Sequence, residues 1–134
     1  MVKNGLNYET SRIVTTDNID DLNHVNNAVY VKWMDDVAYA HWSHLTKKYN
    51  LPECIWVVVR HEIDYKAQAV LNDEITIKTW VGETSGIKSI RHIAFYKEET
   101  LLVQSKTTWV FLDTQTHKPT RITESVLKIL EAGK

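Results

Sequence analysis

The chain has 134 residues, of which 43% are hydrophobic and 25% charged, and this is the size and composition of one globular domain. Its formal net charge of −1 gives no electrostatic reason to expect nucleic acid or an anionic membrane surface as a partner. The sequence contains no run of about 18 apolar residues that would cross a bilayer. We therefore expect a single domain over residues 1–134, with neither nucleic acid nor membrane as a partner.

The N-terminus and the cysteine content bear on the compartment. Residues Met1 to Gly5 lack the apolar stretch of a signal peptide, and the single cysteine, Cys54, cannot form an internal disulfide. Both observations predict a cytoplasmic protein. The residues Ile55 to Val59 that follow the cysteine are typical of a buried strand, so we interpret Cys54 as a packing residue rather than a nucleophile.

The first elements in chain order are a strand and a long helix. The strand is predicted over Asn7 to Val14. The helix is predicted over Ala28 to Leu45, because apolar and aromatic residues recur there at the spacing of one buried helical face. The residues on that face are Tyr30, Trp33, Met34, Val37, Ala38, His41, Trp42 and Leu45.

After Pro52 the pattern changes to that of strands, because β-branched and aromatic residues become frequent and alternate in places. The predicted strands are Ile55–Tyr65, Glu74–Val81, Lys88–Tyr96 and Leu101–Leu112, with turns at Glu83–Gly86 and Lys97–Thr100. A short amphipathic helix with Thr123 as its N-cap follows, and its apolar face comprises Ile122, Val126, Ile129 and Leu130. One long apolar helix against an antiparallel sheet predicts an α+β layer architecture.

A polar loop directly before the long helix carries the side chains that suggest chemistry. It reads Asp20-Asp21-Leu22-Asn23-His24-Val25-Asn26-Asn27. A helix N-terminus has free N–H groups and a dipole that favour negative charge. A carboxylate at this place can activate water or attack an acyl carbonyl, and the N–H groups can stabilise the oxyanion that develops. The structural alternative is equally open at this point, since Asn and Asp are also favoured caps and turn formers.

The spacing Asp-x-x-x-His-Val-Asn-Asn, with Tyr30 and Trp33 after it, resembles the signature of hotdog-fold acyl thioesterases. That family includes the 4-hydroxybenzoyl-CoA thioesterase-like group and the acyl-ACP thioesterases. The segments Val57–Tyr65 and Asn72–Trp80 resemble its second and third strands. The resemblance implies a hotdog fold, in which an antiparallel sheet wraps around one long central helix.

The resemblance also implies an activity and an assembly. The activity is hydrolysis of an acyl thioester, acyl-CoA or acyl-ACP, to the free acid and the thiol, without a cofactor. The assembly is at least a homodimer, and a dimer of dimers is an alternative, with the active sites where protomers meet. Two other classes stay open: a hydroxyacyl-thioester dehydratase or hydratase, for which Asp35 and Asp36 are the only acids on the first turns of the helix, and a non-catalytic acyl-binding module.

The catalytic roles follow from the resemblance residue by residue. Asp20 matches the family's catalytic Asp and is the expected general base or nucleophile, with Asp21 and Asp17 as alternatives. His24 is expected to position substrate or water. The backbone N–H of Asn27, at the mouth of the helix, is the expected oxyanion donor.

Substrate contacts are expected from Asn26, Tyr30 and Arg60, and Asn26 is the more structural of the two adjacent asparagines. Four basic residues are candidates for the phosphates of coenzyme A, although such residues among strands usually form a solvated face: Arg60, Lys66, Lys88 and Arg91. The tryptophans are candidates for an acyl or aryl pocket, for the core or for a dimer interface: Trp33, Trp42, Trp56, Trp80 and Trp109.

The sequence departs from the family pattern at two positions of the loop. Asn23 stands where many members carry Gly, and since Asn tolerates the left-handed backbone region better than most residues, we expect the turn to persist. Leu22 stands where plant-type acyl-ACP thioesterases carry Asn. The further catalytic Glu or Cys of the plant type falls near Gln68 and Ala69, neither of which can act as acid, base or nucleophile, so an Asp-centred mechanism is favoured.

A metal site was considered at the pair His41-x-x-His44, whose spacing places two imidazoles on one helical face. His41 lies on the apolar stripe of the helix, and no third ligand is evident nearby in the sequence. We therefore predict no metal site.

Overall fold

The computed structural model describes residues 7–134, so residues 1–6, on which the signal-peptide argument depends, lie outside it. The described residues form five strands and two α-helices. They are β1 (Tyr8–Ile13), α1 (Asn27–Thr46), β2 (Ile55–Tyr65), β3 (Glu74–Ser85), β4 (Lys88–Lys97), β5 (Thr100–Leu112) and α2 (Glu124–Ala132). Every predicted element is present, and the ends of the first helix and of the strands differ by at most one residue from the prediction, except at the end of β3.

The end of β3 corrects the predicted turn Glu83–Gly86, because its first three residues continue the strand. Ser85 still pairs with Lys88, so the chain reverses at Gly86 and Ile87. Gly86 has a φ of +62°, in the left-handed region that a residue without Cβ adopts freely. The end of β3 is polar because it extends into solvent, and polar residues are typical of turns as well as of such strand ends. The polarity of this segment therefore does not reveal that it pairs with β4.

The five strands form one antiparallel sheet in the order β1-β3-β4-β5-β2, so β1 and β2 are its edges. Helix α1 buries its predicted apolar face, with Trp42 alone half-buried among the residues of that face. Its central residues Trp33, Met34 and Val37 pack with inward residues of β3 and β4, such as Ile77 and Phe95. The structure confirms the α+β fold, with one long helix against an antiparallel sheet.

The second helix covers the far end of this core. It begins after Thr123, whose hydroxyl accepts a hydrogen bond from the Val126 N–H at 3.4 Å, as the sequence predicts. Val126 and Leu130 of α2 pack in a second core cluster with Phe111 of β5. None of the helices within residues 7–134 is long and apolar enough to cross a membrane.

Strand β2 differs from the buried strand expected after Cys54. It pairs with β5 alone among the described strands, and Val57 and Val59 are 36% and 56% exposed. A bulge at Val59 shifts the register between Val58 and Arg60. The run of valines that suggests burial therefore lies on an exposed edge, since β-branched residues mark a strand but not its place in the sheet.

Candidate active site

The polar loop before α1 forms a tight hairpin that Asp20 holds together. The backbone N–H of Asp20 donates to the carbonyl of His24 at 2.8 Å, and the N–H of Asn23 donates to the carbonyl of Asp20 at 3.0 Å. The carboxylate atom Oδ1 of Asp20 accepts from the N–H groups of Leu22 at 2.9 Å and His24 at 3.1 Å. Asp20 is exposed, and its Oδ2 has no hydrogen-bond or ion-pair partner within residues 7–134.

The hairpin requires a left-handed residue at Asn23, whose φ is +62°. Asparagine tolerates this region better than most residues, because its short side chain can bond locally. The expectation that the turn persists with Asn in place of the family's Gly is therefore confirmed.

The hairpin rests on the segment that precedes β3. The N–H of Val25, a residue only 3% exposed, donates to the carbonyl of Ala69 at 2.9 Å, and His24 forms a β-bridge with Val70. Ala69 is thus a backbone support for the loop. This gives a structural role to a position where plant-type acyl-ACP thioesterases have a reactive side chain.

An ion pair braces that supporting segment. The carboxylate of Asp73 accepts the N–H of Val70 at 2.9 Å and pairs with Nζ of Lys97 at 2.8 Å. Partial burial by itself would raise the pKa of Asp73, but the bonds from Lys97 and Val70 outweigh it and hold this pKa below its usual value. Asp73 therefore stays ionised and keeps the support in place at neutral pH.

The first turn of α1 leaves one backbone donor open. Asn26 is the N-cap, and its side chain accepts the N–H of Ala28 at 2.9 Å while its carbonyl accepts the N–H of Val29 at 2.9 Å. The N–H of Asn27 has no acceptor among residues 7–134, as expected for the first residue of a helix. This donor and the unbonded oxygen of Asp20 lie in the same loop.

Replacing Asn26 by alanine will lower the free energy of unfolding by about 1 kcal/mol, because the cap to Ala28 is lost. Asn27→Ala is the matched control, since the Asn27 side chain has no hydrogen bond among the described residues. Urea unfolding of both variants checks this. An equal loss of stability in the two variants would contradict the cap assignment.

The alternative carboxylates lie apart from these hydrogen bonds. Asp17 is exposed in the short 3-10 turn Thr16–Asn18, and Asp21 is exposed at the tip of the hairpin. Neither side chain has a hydrogen-bond or ion-pair partner in the described part of the chain. Asp20 alone of the three is fixed by bonds to the loop backbone.

Tyr30, a predicted substrate contact, lies in the core under the loop. Its ring centroid is 5.1 Å from that of Phe95 and 6.0 Å from that of Tyr65, and the residue is 3% exposed. Its hydroxyl is buried without a hydrogen-bond partner among the described residues. Burial, with smaller contributions from Asp73 and Tyr65, raises the pKa of Tyr30 to about 12. The contact with Tyr65 places the end of β2 next to the start of α1.

Arg60, the other predicted contact, is not brought to this loop by the fold of one protomer. It lies in the middle of the edge strand β2, with a 68% exposed side chain that pairs with Glu62 at 3.6 Å. Lys66 and Lys88 are exposed as well, as expected for a solvated face.

Arg91 corrects the expectation of a solvated basic face, because it is only 6% exposed. Its Nη1 donates to Nδ1 of His41 at 2.8 Å and to Oγ1 of Thr79 at 3.0 Å. The alternation in β4 could have indicated this burial. Ser89, Arg91 and Ile93 lie on the face of the strand that is turned toward the helix, and the residues between them lie on the other face. Burial lowers the pKa of Arg91 to about 10, so it remains a cation at neutral pH.

The two histidines of the candidate metal pair lie in different environments. His41 is fully buried, bonded to Arg91 and stacked on Tyr8, whereas His44 is exposed. Within residues 7–134, no group of three or more His, Cys, Asp or Glu side chains is arranged to hold a metal ion.

A cavity of about 760 Å³ lies between the second half of α1 and the sheet. Its walls are mostly aromatic and apolar, and they include Trp42, Cys54, Trp56, Trp109 and Leu130. Cys54 packs against the second core cluster, and burial raises the pKa of its thiol, which disfavours the reactive thiolate. The cavity is therefore suited to an apolar or aromatic group, and its cysteine is a packing residue.

The cavity and the polar loop lie toward opposite ends of α1. The cavity is lined from Asp35 onward, and none of its wall residues belongs to the loop. From Asn27 to Trp42 the helix rises by about 22 Å at 1.5 Å per residue. A substrate in this cavity would thus be remote from the loop of the same protomer.

A long helix that lies across an antiparallel sheet, with a polar loop directly before its first turn, is the architecture of the hotdog class of proteins. Solved structures of that architecture superimpose on the chain. YbaW of Escherichia coli is 23% identical with a TM-score of 0.81, over 93% of this chain and 97% of that one. A 1,4-dihydroxy-2-naphthoyl-CoA thioesterase from Synechocystis is 15% identical with a TM-score of 0.75, over 92% and 95% of the two chains.

A thioesterase from Thermus thermophilus, solved with coenzyme A and zinc, is 19% identical with a TM-score of 0.80, over 92% of this chain and 91% of its own. No curated protein matches the sequence. The sequence profile of the Thioesterase-like superfamily matches residues 14–130. The chain belongs to this superfamily, and its hotdog fold confirms the one that the resemblance implied.

Proposed function

We propose that this protein hydrolyses an acyl thioester to a free acid and a thiol, with Asp20 as the reactive carboxylate. The observation that carries the proposal is the loop geometry. It joins a carboxylate with one unbonded oxygen and a helix N-terminus with an unbonded N–H, at Asn27. These are the two groups that attack on an acyl carbonyl requires.

The steps follow from these groups. Asp20 takes a proton from water while the water oxygen bonds to the carbonyl carbon, and the carbonyl electrons move to its oxygen, which the Asn27 N–H binds. When the intermediate collapses, the carbon–sulfur bond breaks and the thiolate leaves with its electron pair and takes up a proton. In the alternative route Asp20 itself bonds to the carbonyl carbon and the carbon–sulfur bond breaks, which releases the thiolate with its electron pair. Water then hydrolyses the mixed anhydride to the free acid and returns the Asp20 carboxylate. His24 positions the substrate or the water.

The site is proposed to be complete only in a homodimer formed through β2. An edge strand of 11 residues with exposed valines is a surface that proteins normally cover. When a two-fold axis pairs two such edges in antiparallel fashion, the start of one strand lies beside the end of the other. A dimer of dimers is compatible with the same pairing.

This pairing joins the loop of one protomer to the cavity of the other. The cavity wall includes Trp56 at the start of β2 and Cys54 directly before that strand, while Tyr65 at its end touches Tyr30 in the first turn of α1. The partner's helix N-terminus therefore approaches the cavity that its own protomer's loop cannot reach. The acyl group would lie in that cavity with its thioester at the partner's loop.

Coenzyme A is the preferred carrier in this proposal, because the Thermus thermophilus thioesterase of the same fold was solved with coenzyme A. Acyl-ACP and the predicted cytoplasmic location remain predictions. The two acidic residues on the first turns of α1 do not support a dehydratase, since Asp36 is paired with Arg12 at 3.4 Å and Asp35 is exposed.

The test is thiol release from a panel of short, medium, long and aromatic acyl-CoAs, with the free acid quantified by mass spectrometry. We expect one free acid for each thiol released on at least one substrate. Dehydration of a hydroxyacyl-CoA without thiol release would replace the proposal by the dehydratase. Ligand binding without turnover of any acyl-CoA or acyl-ACP would replace it by the binding module.

A further inference from the structure

A buried cation without a counter-ion lies in the wall of the cavity described above. The guanidinium of Arg91 is bonded through Nη1 to His41 and Thr79, and no carboxylate lies within ion-pair distance of it among residues 7–134. The indole Nε1 atoms of Trp56 and Trp109 also have no acceptor in the described part of the chain, but they have almost no accessible surface, so a ligand in the cavity does not reach them. Arg91, Trp56 and Trp109 are all wall residues of the cavity.

The sheet places these donors next to one another on its helix-facing side. Trp109 of β5 pairs with Ser89 of β4, two residues from Arg91 along that strand, and with Val58 of β2, two residues from Trp56. The donors thus occupy successive rows on three neighbouring strands, with about 4.8 Å between strands. The Trp56 ring is held by Phe111 at 4.9 Å between centroids.

Such a set of groups is costly unless something accepts its hydrogen bonds. A buried cation without a counter-ion and a buried N–H group without an acceptor both lose their hydration on folding. No interaction within the described residues compensates for that loss. The cavity's own acids do not compensate, because Asp36 is engaged by Arg12 and Lys32, and Asp35 is exposed. The missing partner is therefore an anion with more than one acceptor oxygen.

We propose that the cavity binds the far end of an acyl group that carries a carboxylate, held by the guanidinium of Arg91. A carboxylate supplies the negative charge that Arg91 lacks, and its oxygens accept the guanidinium N–H groups that are not bonded to His41 and Thr79. The aromatic walls hold the methylene or aryl portion between that carboxylate and the thioester. The inference rests on the proposed function for its substrate class, which becomes the half-thioesters of dicarboxylic acids.

The first experiment measures binding without catalysis. Calorimetry compares suberate with octanamide, which has the same number of carbons and no carboxylate, on the intact protein. Because hydrogen bonds to charged groups are strong, we expect suberate to bind at least about tenfold more tightly. Equal affinities would overturn the inference and would indicate that another part of the assembly satisfies these donors.

The second experiment measures hydrolysis of suberoyl-CoA against octanoyl-CoA. Arg91→Met removes the charge at similar volume, and we expect kcat/KM to fall about 10- to 100-fold for suberoyl-CoA but much less for octanoyl-CoA. Arg91→Gln, which keeps hydrogen-bond donors but not the charge, is a second variant in case the first does not fold. Trp80→Phe is the matched control, since Trp80 stacks on His92 and is not a wall residue of the cavity.

The two proposals fail in different ways. Preference for suberate in binding, with no thioester hydrolysed, would refute the hydrolase and support the carboxylate site. Hydrolysis of octanoyl-CoA and suberoyl-CoA with equal kcat/KM, reduced equally in Arg91→Met, would support the hydrolase and overturn the carboxylate site.

Discussion

Asp20→Asn will reduce kcat for thioester hydrolysis by about a hundredfold or more, in line with the loss of a general base or nucleophile. The substitution is nearly isosteric, and the amide oxygen still accepts the N–H groups of Leu22 and His24 that the carboxylate binds. The loop fold should therefore survive while its basicity is lost. Thiol release under saturating acyl-CoA, with a melting curve to confirm folding, measures the effect.

Asp21→Asn is the matched control, because it removes the same charge one residue away from a side chain without partners among the described residues. We expect its kcat to stay within about twofold of wild type, as for an exposed substitution away from the chemistry. Equal losses of kcat in the two variants would indicate that hydrolysis depends on the net charge of the loop and not on the Asp20 carboxylate itself. Full activity of Asp20→Asn would move the chemistry to another group.

Heterodimers of an Asp20→Asn protomer and a protomer with a blocked cavity will recover about half of the wild-type rate, although either homodimer is inactive. In the heterodimer, the native loop of the blocked protomer faces the native cavity of its partner, while the other site carries both changes. Ala38→Phe fills the cavity from α1, and Ser43→Trp does so from an exposed position where a larger side chain is better tolerated.

Co-expression with two affinity tags isolates these heterodimers, and thiol release from each preparation is compared. Pairing Asp20→Asn with Asp20→Ala is the control, since no combination of these protomers contains a native loop. Recovery in the control would point to contamination with wild type. A heterodimer as inactive as its parents would show that the loop and cavity of one site come from the same protomer.

Much of this architecture was predictable, because local periodicity reports which face of an element is buried. The apolar stripe of α1 and the alternation in β3 and β5 identified the elements closely. The turn in the polar loop depends in part on local contacts, since the Asp20 carboxylate accepts N–H groups two and four residues away, whereas its support by Ala69 and Val70 is long-range. Asp20, Asn23 and Asn26 act on neighbours in the chain.

The sequence alone determined the helices and strands and the polar loop that presents Asp20 before the long helix, since these depend on local periodicity and composition. Only the tertiary structure decided that Arg91 is a buried cation, that β2 is an edge and that the cavity lies far along α1 from the loop. These properties depend on strand order and on residues far apart in the chain, such as Arg91 and His41, which are bonded across 50 positions. Long-range pairing leaves no fixed spacing in a sequence, so it becomes visible only when the chain is folded.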